Sequence, residues 1–359
     1  MRVLRGYIEI GGFTFDYVTD IEVVSSWNQF VDTATITIPK KLRYKGQDGK
    51  TRSYIVQGSE AVFKRGDRVK IQAGYYPTPE YGEVSLFNTI FEGYVAEISP
   101  TKPITIKCED SMFQLKRAKI PSYDSTGKPT DLEYTLNALG GIINENAGGV
   151  VFPYTIKAES MDLGKMIVEN NATYLQFLDM LKRKYGLQSY IRRNTVTEEE
   201  ELIVGFARIS QQVSFLESLP NRIITLRFGR DIIDYNDLTY RNAKDIDINL
   251  TCISIDEDNN KVEATAGEEW GSTRNLYYYN MSQTDLQKVA DNMVNQFKFD
   301  GYRGSFTVFG IPQIKHGDAV RLLGSDIADN FGEYLVEKVV TNFGQGGFRQ
   351  KVFLSSRIT

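Results

Sequence analysis

A chain of 359 residues, 41% of them hydrophobic and with 20 Phe and 21 Tyr, exceeds what one ordinary core holds and predicts two or three packed units. A net charge of −4 argues against stable nucleic-acid binding, which needs a concentrated basic face; Lys116-Arg117, Lys182-Arg183-Lys184 and Arg192-Arg193 read as solvated surface. No run reaches the roughly 20 apolar residues of a membrane helix, and the N-terminal stretch lacks the apolar core of a secretory signal, so membrane insertion is not expected.

The chain opens on antiparallel β structure. Residues 3–10 and 13–18 flank Gly11-Gly12, a hairpin signal because glycine accepts the positive φ of tight turns. Residues 33–38 alternate strictly, with Ala34, Ile36 and Ile38 on one face and Thr33, Thr35 and Thr37 on the other. Pro39 ends that strand, and polar residues 40–53 read as an exposed loop. Strands are expected again over 61–73, 89–98 and 104–109.

Composition changes after about residue 113. Leu132, Leu136, Leu139 and Ile143 have helical spacing, as do Tyr174, Leu178, Leu181 and Tyr185 before the stop signal Gly186. Strands over 187–193 and 201–207 complete a small α+β unit, joined by the acidic turn 197–200. Beyond residue 214 the β pattern returns over 222–228, 247–255 and 261–266. A helix is expected over 282–298, started by Ser282 and Asp285. Strands over 305–309, 319–323, 334–340 and 350–354 close the chain, the last pair turned by Gly344, Gly346 and Gly347.

A repeat runs through this order. Phe63 to Ile71 aligns with Ile314 to Leu322, placing Gly66-Asp67 over Gly317-Asp318, and each is followed by an alternating apolar and basic strand. Residues 91–98 then echo 331–339, with Tyr94 facing Tyr334 in that alignment. Gly-Asp is a strand-entry turn, glycine relieving the backbone and aspartate capping nearby N–H groups. It marks duplication rather than a reactive site.

No catalytic constellation emerges. His316 is the only histidine, so neither a His-dependent triad nor a multi-histidine metal site can be built from one chain, and it reads as a turn residue. Cys108 and Cys252 lie far apart in apolar runs and read as two buried free thiols, a usage that fits a reducing cytoplasm. No phosphate-binding or dinucleotide-binding glycine motif is present, and residues 256–260 lack the spacing of a calcium loop, so no catalytic, cofactor-binding or metal-binding residue and no cofactor is expected. The acidic pairs Glu268-Glu269, Asp231 with Asp234 and Asp245 with Asp247 read as surface, since a glycosidase needs two carboxylates about 5–9 Å apart across a cleft. Tyr277, Tyr278 and Tyr279 suggest an interface, with sugar stacking as the alternative.

The order of elements resembles the baseplate hub proteins of phage tails, including the late-control-gene-D type and the hub of Mu-like contractile phages, and it is similar to the N-terminal half of type VI secretion spike proteins. The resemblance rests on residues 5–40, Gly66-Asp67, residues 91–110, the helix–strand unit over 171–193, and above all Leu286 to Leu354. It implies a mainly β fold with α+β content: two tail-tube-like β-barrel modules, over 1–115 and 214–359 (with helix 282–298), flanking or packing with a middle α+β domain over 116–213. It further implies a non-catalytic homotrimer whose pseudo-six-fold ring joins tail tube to central spike. Such a subunit would sit in the virion tail baseplate after assembly in the bacterial host cytoplasm. Thr33, Thr35 and Thr37 would line a lumen, form a subunit contact, or lie on plain outer surface. The sequence ends at Thr359 without an appended peptidase, lysozyme or needle domain, so those activities are expected of separate proteins. A cell-wall or carbohydrate-binding module and a glycoside hydrolase with paired carboxylates are the alternatives.

Overall fold

The computed structural model describes residues 3–15, 18–39, 41–45, 48–55, 63–76, 86–99, 103–145, 152–169, 171–194, 197, 199–206, 222–256, 258–324 and 332–358. The strands expected over 13–18, 61–73 and 201–207 fall partly outside them.

The first part is built from β1 (Val3–Ile10), β2 (Phe13–Phe15), β3 (Asp20–Ser26), β4 (Thr33–Ile38), β5 (Lys41–Lys45), β6 (Thr51–Ile55), β7 (Arg68–Tyr76), β8 (Leu86–Ser99) and β9 (Ile104–Glu109). Alternation decides which face is buried. Ala34, Ile36 and Ile38 of β4 are fully buried with Ile8, Ile71 and Ile106, while the three threonines are half-buried on the other face. A single sheet whose one face feeds one buried cluster must curl around it. The run expected as a loop over 40–53 is instead largely the hairpin β5–β6, paired Lys41↔Ile55 through Lys45↔Thr51. Its lysines and arginines read as loop because edge strands carry charge that blocks further pairing.

The middle part comprises α1 (Met112–Leu115), β10 (Tyr123–Asp124), α2 (Leu132–Glu145), β11 (Thr155–Ala158), β12 (Ile167–Val168), α3 (Tyr174–Tyr185), β13 (Gln188–Arg193) and β14 (Glu200–Gly205). Helix α3 starts on a full capping box, Thr173 Oγ1 accepting from Gln176 N while the Gln176 side chain accepts from Thr173 N, and ends on left-handed Gly186.

The last part runs β15 (Ile223–Arg227), β16 (Ile232–Asp234), β17 (Thr239–Arg241), β18 (Ile248–Ile255), β19 (Lys261–Gly267), β20 (Ser272–Tyr279), α4 (Gln283–Asn295), β21 (Gly301–Phe309), β22 (Ala319–Leu323), β23 (Gly332–Gly344) and β24 (Gly347–Arg357). Ser282 caps α4 by accepting from Asp285 N at 3.1 Å. The packing here departs from a module spanning 214–359 together with its helix. The sheet β19-β18-β20 and α4 bury Leu250, Cys252, Leu286 and Val289 in the same core as α2 and α3. An amphipathic stripe specifies that a helix buries one face, but not which neighbouring core receives it.

The protein is thus mainly β, with four helices among the described residues, and its largest sheet crosses from the first part to the last. Its strand order is β16-β21-β24-β23-β3-β4-β9-β8-β7-β1-β2-β5-β6, with β15 and β22 branching from β23. The join is β3 against β23, antiparallel from Ser26↔Lys338 to Asp20↔Gly344. Phe343 and Phe348, at the tip of the β23–β24 hairpin, enter the core of the first part beside Tyr75. Both thiols are free and buried, and burial pushes Cys108 up to about 12 and Cys252 to about 11.

Candidate functional site

The two Gly-Asp turns are built alike. Gly66 N donates to Val95 O at 2.8 Å and Gly317 N to Val336 O at 2.9 Å; Val95 N and Val336 N each return a bond of 2.9 Å to the aspartate carbonyl. The carboxylates of Asp67 and Asp318 accept from Lys64 N and Lys315 N at 2.7 and 3.0 Å. Both glycines hold positive φ, +90° and +81°, where a side chain is strained.

The strands that follow also match. β8 carries a register shift against β9 between Val95 and Glu97, and β23 carries the matching one against β24 between Val336 and Lys338, with a further shift between Tyr334 and Val336 that the first copy lacks. The order β4-β9-β8-β7 therefore recurs as β21-β24-β23-β22, antiparallel throughout. The register corrects the alignment by one residue: Arg68 pairs with Tyr94 as Ala319 pairs with Leu335, so Tyr94 is equivalent to Leu335 and Gly93 to buried Tyr334. Tyr334 thus takes the inward position of Gly93, whereas Tyr94 is half-buried.

What differs is what each turn meets. At the first, the Arg65 guanidinium lies over the Phe113 ring at 5.8 Å. At the second, His316 replaces it and is buried where the three parts converge. Its Nδ1 is hydrogen-bonded with Ser25 Oγ of β3 and lies 3.5 Å from Asp32 Oδ1, and its ring stands edge-on to Tyr190 of β13 at 4.9 Å. Burial holds the imidazole below its ordinary value, against the smaller opposing pull of Asp32.

Beside it lies a cleft of about 560 Å³ whose wall includes Asp32, Asp110, Glu200, Lys70, Arg193 and Lys315. Burial, then the neighbouring Asp32 carboxylate, pushes the Asp110 carboxyl well above its usual range. These carboxylates were not legible as a group in the sequence. Their oxygens bind the junction itself: Asp110 accepts from Asp32 N and Met112 N, Asp32 accepts from Ser26 N, and Glu200 accepts from Ser111 Oγ. Of the acidic pairs singled out by sequence, Glu268 is bound to Lys298 and Asp231 to Arg230. Among the described residues no group of three or more histidines, cysteines or carboxylates is arranged to hold a metal.

The threonines belong to a larger surface. On the outward face, one rank of directly paired residues runs Glu97, Lys107, Thr35, Glu22, Asn342, Arg349 and Phe309 across β8, β9, β4, β3, β23, β24 and β21. A parallel rank runs from Thr33 through Val24, Val340, Lys351 and Thr307 to Asp234 of β16. Thr33, Thr35 and Thr37 thus sit within a continuous, mainly polar face of eight strands. Of the tyrosines, Tyr277 and Tyr279 are exposed on β20, whereas Tyr278 turns inward and donates from its hydroxyl to Lys184 O at 2.7 Å. Strand alternation separates the three, so Tyr278 is core rather than interface.

No protein-family model matches the chain, and no curated protein matches it by sequence. Solved structures do share its fold. A tail protein from Neisseria meningitidis superposes with a TM-score of 0.66 at 13% identity, covering 98% of this chain and 96% of that one. A 43 kDa tail protein of prophage MuSo2 from Shewanella oneidensis gives 0.57 at 15% identity, covering 98% of each. An Escherichia coli type VI secretion component, described as structurally similar to T4 tail proteins, gives 0.53 at 10% identity over 98% of this chain and 77% of that one. The chain shares the fold of these phage tail and type VI secretion proteins.

Proposed function

We propose that the chain is a structural, non-catalytic hub subunit of a phage or phage-like tail baseplate, three copies of which form a pseudo-six-fold ring between tail tube and central spike. The observation that carries this reading is the duplication: two four-strand units with the same turn, a matching register shift and the same strand order, in parts of the chain joined edge to edge through β3 and β23. Three chains of two modules present six similar units to a six-fold tube while keeping three-fold symmetry for a spike. The eight-strand face is the natural lumen lining, with Thr33, Thr35 and Thr37 within it. Three such faces would supply about 24 strands at ~4.8 Å spacing, a backbone diameter on the order of 40 Å before strand tilt.

The partners on this reading are a second and third copy, the tube subunit and the spike, in a virion tail baseplate assembled in the host cytoplasm. Native mass spectrometry of the purified chain, alone and with its tube and spike partners, tests it. A species of three chains is expected. A chain that stays monomeric in both conditions would overturn it. The carbohydrate-binding alternative rests on Tyr277 and Tyr279, neither of which lines the cleft at the three-part junction.

A further inference from the structure

A ring of identical chains is held by a heterologous contact, in which one surface of a protomer meets a different surface of the next. Two surfaces of this chain are opposite in charge and belong to different sheets. One, at the end of the large sheet, is the hairpin β5–β6. Residues 41–55 carry Lys41, Arg43, Lys45, Lys50 and Arg52 against Asp48 alone. Beneath it opens a cleft of about 640 Å³ lined by Arg5, Tyr7, Arg43, Tyr44, Lys45 and Phe87. Arg43 and Lys45 are exposed, and the outer edge of β6 pairs with no strand among the described residues.

The other is the separate sheet β19-β18-β20, which falls between β17 and β21 in the chain. Residues 245–279 hold eight carboxylates against only two cations, Lys261 and Arg274, in a chain whose whole net charge is −4. Asp245, Asp247, Asp258, Glu263 and Glu269 are exposed. One face of this sheet is filled by α4 and the middle core. The other carries Tyr277, 66% exposed, and Tyr279, 39% exposed, on β20, whose outer edge is also unpaired among the described residues.

We propose that the basic hairpin and cleft at β5–β6 dock on the acidic, tyrosine-bearing sheet β18–β20 of a second copy, forming the repeated joint of the ring; this rests on the trimeric reading above. Carboxylates meet lysines and arginines, and the tyrosine rings offer faces to the same cations. The chain supplies both surfaces in equal number, which favours a copy of itself over an unrelated polyanion as the occupant.

The test uses the full chain under the conditions in which its trimer forms. R43E/K45E and, separately, D258K/E269K are expected to weaken association on the order of 10- to 100-fold, read as the concentration of half-dissociation by native mass spectrometry and sedimentation. Combining the four changes is expected to restore it to within a few-fold of the parent, and added salt to weaken the parent. All four side chains are exposed, and circular dichroism checks that each variant is folded. A trimer indifferent to both reversals, or reversals that do not rescue one another, overturns this contact and leaves the ring standing. A parent chain that never trimerises removes the ring and the contact with it.

Discussion

Alanine at each of the two Gly-Asp turns is a controlled comparison, because one substitution is made in two copies of the same backbone. At Gly66 an added Cβ meets nothing within 4 Å, so only the strain of φ +90° remains, about 1–2 kcal/mol. At Gly317 the strain is similar at φ +81°, but the Cβ would stand 3.0 Å from the Tyr190 hydroxyl oxygen and 3.2 Å from its Cζ. That ring cannot easily yield, being buried with Trp27 at 6.4 Å and His316 at 4.9 Å. Overpacking of this kind adds about 1–3 kcal/mol. Gly317→Ala is therefore expected to cost about twice as much as Gly66→Ala. Because a chain with several cores need not unfold in one step, hydrogen exchange with mass spectrometry is the better assay, followed at the Val95 and Val336 amides that close the two turns. Gly66→Ala should loosen its own turn alone, and Gly317→Ala should also release β13. Equal costs, or a β13 undisturbed by Gly317→Ala, would refute the argument that the second turn is wedged against the middle part.

Two further substitutions probe the same architecture. His316 has its folded value below the unfolded 6.5, so the unfolded chain takes up the proton first and stability is lost as pH falls below 6.5. The charges that face it are Asp32, Lys315 and Asp318; the raised carboxyls of Asp110, Asp318 and Glu337 act in the opposite sense, favouring the fold as they take up protons. His316→Gln should flatten the loss between pH 6.5 and 5, measured by urea unfolding across that range, and superimposable pH profiles would reject the assignment. Phe348→Ala, which empties the aromatic contact where the last part enters the first core, should cost about 3–5 kcal/mol in the opening of β23 and β24, read by hydrogen exchange. A loss below about 1 kcal/mol would show that the hairpin tip does not couple the two cores.

Features governed by local rules were legible in the sequence. Gly66 and Gly317 had to be glycine at positive φ, Gly186 had to end its helix, and residues 33–38 could only alternate. Features set by tertiary pairing were not. Cross-strand register leaves no local signature, and matching by residue identity sets Tyr94 against Tyr334 where the pairing sets it against Leu335. Helix α4 has its apolar stripe in the sequence, yet only the folded chain shows that the middle core receives it. The junction around His316 joins residues such as Ser25, 291 positions away, and no spacing rule spans that distance.

The β3–β23 pairing also bears on how such a ring would form. Were the two modules separate molecules, six joints would have to form between molecules, and the concentration of closed rings would fall with the sixth power of the free-module concentration. Main-chain hydrogen bonds already complete alternate joints inside each chain, leaving three and a third-power dependence. The proposed ring is also barred from closing on five or seven modules, since they can be added only in pairs. Gene duplication followed by edge-to-edge fusion would thus act as a counting device.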